Sequence, residues 1–262
     1  MNPIIALLYR NIFTSISKLL LIWIVVFPIF LLYTAGFSYS PIVNDESVRV
    51  GDLSVSYPVF LATGMIGFNV MNVSTVAGSI TWRDKRSGML AQLFVMRFSR
   101  TEYLAGNLLT IIVMGFASAI FITIAGSPIT VGNVNFSILS APYLAFAIIC
   151  GSIFFGSVTS ILSAKLRTSE GFDTIVNGIF LFFSFASSAF YPTQDVPEAL
   201  RVLFYLNPLT YVVDISRAAI FSQFNTFTNI EVISLTVISA VALGIAIRSI
   251  IKMNDSQISS QV

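Results

Sequence analysis

Hydrophobic positions run along this chain in long uncharged blocks, not in alternation. Residues 19–41 carry no charge, residues 53–82 none over 30 positions, and residues 103–164 none over 62. A helical membrane span needs about 20 apolar residues. The longest block is therefore divided at its turn formers, Ser127-Pro128 and Gly132-Asn133-Val134-Asn135. The pattern predicts an all-α integral membrane protein with six transmembrane helices, at about 19–40, 57–81, 104–126, 138–164, 174–190 and 230–247. Strands of a closed barrel would alternate over segments of about ten residues, and these runs do not.

Two segments depart from a plain span-and-loop pattern. In residues 1–18, Ile5, Leu8, Ile12 and Ile16 recur at helical spacing, with Arg10, Thr14, Ser17 and Lys18 on another face. This predicts an N-terminal amphipathic helix lying in the membrane interface, since a charge-bearing face is costly inside hydrocarbon. The rest of the chain, 19–262, reads as one six-span domain. Residues 191–223 follow the fifth span and are apolar, yet Pro192, Pro197 and Pro208 break them. They predict two short helices, at 196–206 and 209–221, that re-enter the outer leaflet before the last span. Irregular backbone at that depth has to be buried in protein or line a wet cavity.

Charge placement orients the chain. With the N-terminus in the cytoplasm, eleven of the fourteen bases lie inside (Arg10, Lys18, Arg83, Lys85, Arg86, Arg97, Arg100, Lys165, Arg167, Arg248, Lys252) and three outside (Arg49, Arg201, Arg217). The twelve acids show no such bias, five inside and seven outside. This is the positive-inside asymmetry, and it places both termini in the cytoplasm of a multi-pass protein of the cell membrane. Composition agrees. The chain is 56% hydrophobic and 10% charged, against about 25% charged in a soluble domain. It has no basic patch on a charged surface of the kind a nucleic-acid module needs. No small-residue cleavage site follows the first apolar stretch, so the first span is expected to be retained.

The absent chemistry narrows function. There is no histidine and one cysteine, Cys150, in an apolar run. That excludes a Ser-His-Asp triad, an H-E-x-x-H site and a Cys/His metal cluster, and predicts no metal or catalytic residue. No G-x-x-x-x-G-K-[ST] loop is present, so this chain has no P-loop ATP site. The spans lack the carboxylates of ion-coupled carriers and the arginine rows of voltage sensors, Glu231 and Arg248 lying near the ends of span six. Energy for uphill transport then enters from outside the bilayer.

Four features of the residues bear on mechanism. The segment 82–100 between spans two and three carries five of the eleven inside bases. It also has Met89, Leu90, Leu93, Phe94 and Met96 at helical spacing, which suits a partner groove or the membrane surface. In span two, Asn69, Asn72 and Ser79 share a face, as helix–helix glue or a polar path. In span four, Ser152, Gly156 and Ser160 form a small-residue stripe that permits close packing, within the chain or at a dimer seam. Asp214 and Arg217, three apart, can pair on one helix face.

This order of elements is similar to that of the membrane subunit of type-2 ATP-binding-cassette (ABC) transporters. Local text carries the resemblance across essentially the whole chain. Arg83-Asp84-Lys85-Arg86-Ser87-Gly88-Met89-Leu90-Ala91-Gln92-Leu93 resembles the family's E-R-x-x-G-T-L-E-x-L stretch, and Ser99-Arg100-Thr101-Glu102-Tyr103-Leu104-Ala105-Gly106-Asn107 its S-R-x-x-x-L-G-K. Tyr191-Pro192, Val196-Pro197 and Asn207-Pro208-Leu209-Thr210-Tyr211-Val212-Val213-Asp214 resemble F-P-x-x-x-L-P and N-P-L-T-Y-x-V-D, with Arg217 just beyond. The chain departs at Thr63-Gly64, where the family often has Pro-Gly, and at Arg97-Phe98, where it often has Thr-Pro.

The resemblance implies a permease subunit of an ABC exporter. Such a subunit has no ATPase site of its own and no cofactor in this chain. A separate ATP-binding subunit, in two copies, carries ATP and magnesium. It is expected to grip a cytoplasmic coupling helix through Arg83, Asp84, Lys85, Arg86, Gly88, Leu90, Leu93 and Phe94. A second copy of the chain, or a close paralogue, completes the path, and Tyr191, Pro192, Pro197, Asn207, Pro208, Tyr211, Asp214 and Arg217 form the outer gate. Asn69, Asn72 and Ser79 are candidate pathway residues. The 24 phenylalanines suit a hydrophobic or amphipathic cargo such as a drug, peptide, lipid or glycan. The competing readings are a non-transporting assembly or signalling component and a secondary carrier or lipid-modifying enzyme.

Overall fold

The structure, a computed structural model, describes residues 2–39, 48–50, 53–96, 98–130, 137–166, 168–193 and 196–253, the side chains of Lys18, Leu20 and Leu21 excepted. The expected turn at Gly132–Asn135 and the bases Arg97 and Arg167 lie outside the described residues. Among these residues the order is α1 (Pro3–Arg10), a π-helical turn (Asn11–Ser15), α2 (Lys18–Tyr39), β1 (Arg49–Val50), β2 (Leu53–Ser54), α3 (Tyr57–Arg86), α4 (Met89–Val95), α5 (Arg100–Thr130), a 3-10 turn (Ile138–Ser140), α6 (Ala141–Lys165), α7 (Ser169–Phe185), α8 (Glu198–Leu206), α9 (Pro208–Phe221) and α10 (Thr226–Ile251). β1 and β2 pair antiparallel, Arg49 opposite Ser54, and Val48, Val50 and Val55 dip into the core.

Among the described residues five helices, α2, α3, α5, α6 and α10, are long and apolar enough to cross a membrane. The expected span at 174–190 corresponds to α7. It starts and ends five residues earlier, with 17 residues and a length of about 25 Å. Its start is set by Thr168, whose hydroxyl accepts from Gly171 N–H.

α3 is the axis of the bundle. It packs against α2, α5, α6, α7 and α9, and 89% of its apolar window is buried, against 22% for α2 and α10. The outer helices turn Trp23, Phe30, Phe121, Phe182, Ile233 and Val241 outward. A continuous apolar exterior of this kind suits hydrocarbon, not water. Close packing rests on small residues. A Cβ on Gly156 would sit 2.2 Å from Ile111 Cδ1 of α5, and Ser152 and Ser160 are fully buried. The stripe in α6 therefore serves packing within the chain, where sequence left a dimer seam open.

Two expectations are corrected here. α5 runs through Ser127-Pro128 without a turn. Proline removes the bond to the carbonyl four residues back, and Ser127 Oγ donates to that carbonyl, Ile124 O, at 2.8 Å. At the N-terminus the expected division holds for Ile16, which is buried, and for Thr14 and Ser17, which are exposed, and fails at Arg10 and Ile5. Arg10 and Asn11 turn into the bundle, while Ile5, Tyr9 and Phe13 are exposed.

Candidate functional site: a transmission end and a proline end

The two ends of α3, about 45 Å apart for 30 residues, hold the candidate residues. At the basic end, α3 continues five residues past the expected boundary, so 82–86 is helix and not loop. Gly88 then adopts φ +71°, a left-handed conformation favouring glycine, and reverses the chain into α4. α5 restarts at a reciprocal cap. Ser99 N–H donates to Glu102 Oε2 at 2.8 Å, and Glu102 N–H donates to Ser99 Oγ at 3.1 Å. The Ser-Arg-x-Glu text is thus a helix-start signal.

The structure splits the expected coupling residues into two sets. Asp84 is buried and accepts from Arg10 Nη2 at 2.6 Å and Tyr103 Oη at 2.8 Å. From Arg10 the network continues to Asn11, whose Nδ2 donates to Asn107 Oδ1 and Thr110 Oγ1, and Asn107 in turn reaches Thr81. Lys85 Nζ points to Ala164 O and Leu166 O at the end of α6. Leu90 and Leu93 are buried with Leu7, Tyr103, Ala164 and Met253. Phe94 stands edge-on to Tyr103, with Arg100 over its ring. The apolar stripe of α4 fills a groove in its own chain, so the expected outward role of Asp84, Lys85, Leu90 and Leu93 is corrected. Burial removes them from a partner's reach. Outward lie Arg83, Arg86, Met89, Gln92, Val95 and Met96, Val95 being 84% exposed. Val95 is the residue sequence reasoning missed; its signal was the three-residue spacing Met89, Gln92, Val95.

At the proline end, Asn207 explains why Asn-Pro-Leu-Thr-Tyr occurs here. Its Nδ2 donates to Phe183 O and Ala186 O at 2.7 Å, satisfying carbonyls at the end of α7. Its Oδ1 accepts from Leu209 N–H at 2.9 Å, capping α9, and Pro208 occupies the first helical position, where no N–H is missed. Replacing Asn207 by alanine removes all three bonds inside the protein. The expected cost is about 2–3 kcal/mol, read as a lowered unfolding midpoint in detergent. Tyr211 Oη donates to Tyr205 O, tying α9 back to α8.

Asp214, half-buried at the wall of the polar cavity, and buried Arg217 form an i,i+3 pair at 3.2 Å. Arg217 is 5% exposed. Its Nε donates to Thr63 Oγ1, its Nη2 to Phe60 O and Ser188 O, and its guanidinium lies 3.8 Å from the Phe60 ring centre. Ser188 Oγ donates to Asp214 Oδ1 at 2.7 Å. Thr63-Gly64 fits this knot. A Cβ on Gly64 would come 2.3 Å from Ala189 O. The turn at 186–190, α3 and α9 are thereby fastened together.

Two cavities open at this end. A polar one of about 360 Å³ is lined by Arg49, Asp214, Arg217, Asn225 and Glu231 among others. An apolar groove of about 990 Å³ runs between α2, α3, α7 and α8, lined by Phe27, Tyr57, Phe68, Phe185, Tyr191 and Pro197 among others. Pro192 lines both. Of the three candidate pathway residues, Asn72 lines the groove. Asn69 is fully buried with neither amide atom bonded, and Ser79 Oγ donates to Thr75 O within its own helix.

A family model described as ABC-2 type transporter matches residues 3–221, from the first turn of α1 to the end of α9. The chain belongs to this family. It is thus a transmembrane component of an ABC transporter and a multi-pass membrane protein, a permease component that is not itself catalytic. The matched range takes in both ends described above, the α4 turn and the Asn207 knot. A search of curated proteins returns no match. ABC-2 permeases typically partner with an ATP-binding subunit.

Proposed function

We propose that this ABC-2 permease is one half of an exporter for hydrophobic or amphipathic molecules, driven by ATP hydrolysis on a separate subunit that docks on α4. It crosses the membrane six times, α7 being the fifth span, with both termini and α4 on the cytoplasmic side. α1 lies in the inner interface on its exposed Ile5, Tyr9 and Phe13, and α8–α9 re-enter the outer leaflet. Two copies face each other, and the aromatic groove beside α7 contributes to the path between them. Tyr191, Pro192 and Pro197 line its outer mouth.

One observation carries this reading. α4 is bolted to the bundle by its inner face and presents Met89, Gln92, Val95 and Met96 outward, flanked by Arg83 and Arg86. An exposed apolar strip at a bundle end wants a protein partner. Because Leu90, Leu93 and the Asp84–Arg10–Tyr103 node make α4, α1, α3 and α5 one body, a push on α4 reaches the spans. ATP biases the pair of permeases only through its differential affinity for the closed ATP-binding subunits.

The test is the double substitution V95D/M96D. It leaves the buried face intact and is expected to cut co-purification with the ATP-binding subunit, and cargo-stimulated ATPase activity, by about ten-fold or more, as loss of a central apolar anchor does. Wild-type assembly and activity in that variant would refute docking on α4.

A further inference from the structure

At the basic end, the last turns of α6 and α10 flank a third pocket, of about 490 Å³, whose lining among the described residues includes Lys165, Arg248 and Lys252 and no acid. Among the described residues none of the three cations has an ion pair or a side-chain hydrogen bond. Cations at helix C-termini ordinarily turn to the free carbonyls there. Here those carbonyls are already occupied. Lys85 reaches Ala164 O and Leu166 O at the end of α6. Arg100 Nη1 donates to Ile251 O at 2.7 Å and Met253 O at 2.5 Å at the end of α10. The negative ends of both helices are thus neutralised by residues from the transmission segment, and three positive side chains are left around one cavity.

The surroundings are apolar. Ala164 and Met253 belong to the buried cluster that holds Leu90 and Leu93 of α4, and from Ile245 an exposed strip continues along α10 through Val241 to Val237. A basic cavity opening onto an apolar strip at the membrane surface has the form of a lipid headgroup site.

We propose that this pocket binds the phosphate-bearing headgroup of an anionic phospholipid, with its acyl chains along the Ile245–Val241 strip of α10. The inference rests on the reading that this end of the bundle lies at the cytoplasmic membrane surface. The headgroup sits beside the base of α4, where it stiffens the platform that receives the ATP-binding subunit.

The experiment uses the purified full chain in neutral detergent, without the ATP-binding subunit. Short-chain phosphatidylglycerol, phosphatidylcholine and inorganic phosphate are titrated separately against the unfolding midpoint. Phosphatidylglycerol is expected to act at about ten-fold lower concentration than phosphatidylcholine. The triple variant K165Q/R248Q/K252Q, changed only at exposed positions, keeps the lipid-free midpoint and loses the preference. The single variants R248Q and K252Q lower it stepwise. Equal potency of the two lipids overturns the proposal, as does a preference surviving in the triple variant. Inorganic phosphate as potent as phosphatidylglycerol overturns the lipid as ligand. Since docking on α4 is measured separately with V95D/M96D, either reading fails without the other.

Discussion

Replacing Asp84 by alanine is expected to lower the stability of the permease by about 3–5 kcal/mol, because it breaks a buried ion pair from one side only. Arg10 would keep Asn11 as an acceptor but lose the acid it pairs with, and Tyr103, fully buried, would lose its hydroxyl partner. The damage falls on the joint between α1, α3 and α5, so the visible effects are a lower unfolding midpoint and faster proteolysis of the first ten residues. Asparagine at the same position preserves one acceptor for Tyr103 and is expected to cost less. The double variant R10M/D84L removes both charges and fills the space with apolar atoms. It is expected to recover most of the lost stability, as exchanged buried pairs often do. An unchanged midpoint in D84A would mean that the node is not what joins α1 to the bundle.

Replacing Arg217 by alanine is expected to be as severe, about 3–5 kcal/mol, for a different reason. Arg217 is held by four polar partners and an aromatic face, and it connects α9 to α3 and to the turn after α7. Alanine leaves Asp214, half-buried, with Ser188 as its remaining bonded partner among the described residues, and strips Thr63, Phe60 and Ser188 of a buried donor. Lysine keeps the charge but cannot spread donors over Thr63, Phe60 and Ser188 at once, so R217K is expected to recover only part of the loss. If the proline end is a gate that moves as a unit, R217K also slows transport more than it lowers the unfolding midpoint. A lysine variant indistinguishable from wild type in both measurements would show that the fork geometry is dispensable.

Much of the architecture was legible because its cause is local. The short helices at 198–206 and 208–221 follow from Pro197 and Pro208 as breaks, with apolar residues between them. That Asn207 caps α9 emerges only from the structure, as does its grip on the end of α7, which lies 21 to 24 residues away and has no local signal. Pro128 misled for the same reason. Its usual effect is to end a helix, and only the Ser127 hydroxyl, aimed at Ile124 O, shows why it does not.

By itself the sequence determined that the chain is a helical membrane protein and where its long apolar helices lie. Long uncharged blocks leave the backbone one way to satisfy its polar groups in hydrocarbon. Only the tertiary structure decided which way polar and apolar residues face at each end. Asp84 and Lys85 turn inward and Val95 outward because their partners, Arg10 across 74 residues and the carbonyls of Ala164 and Leu166 across 79 and 81, come from other helices. A side chain's facing is set by the neighbours the fold brings to it, and periodicity within one segment carries no record of them.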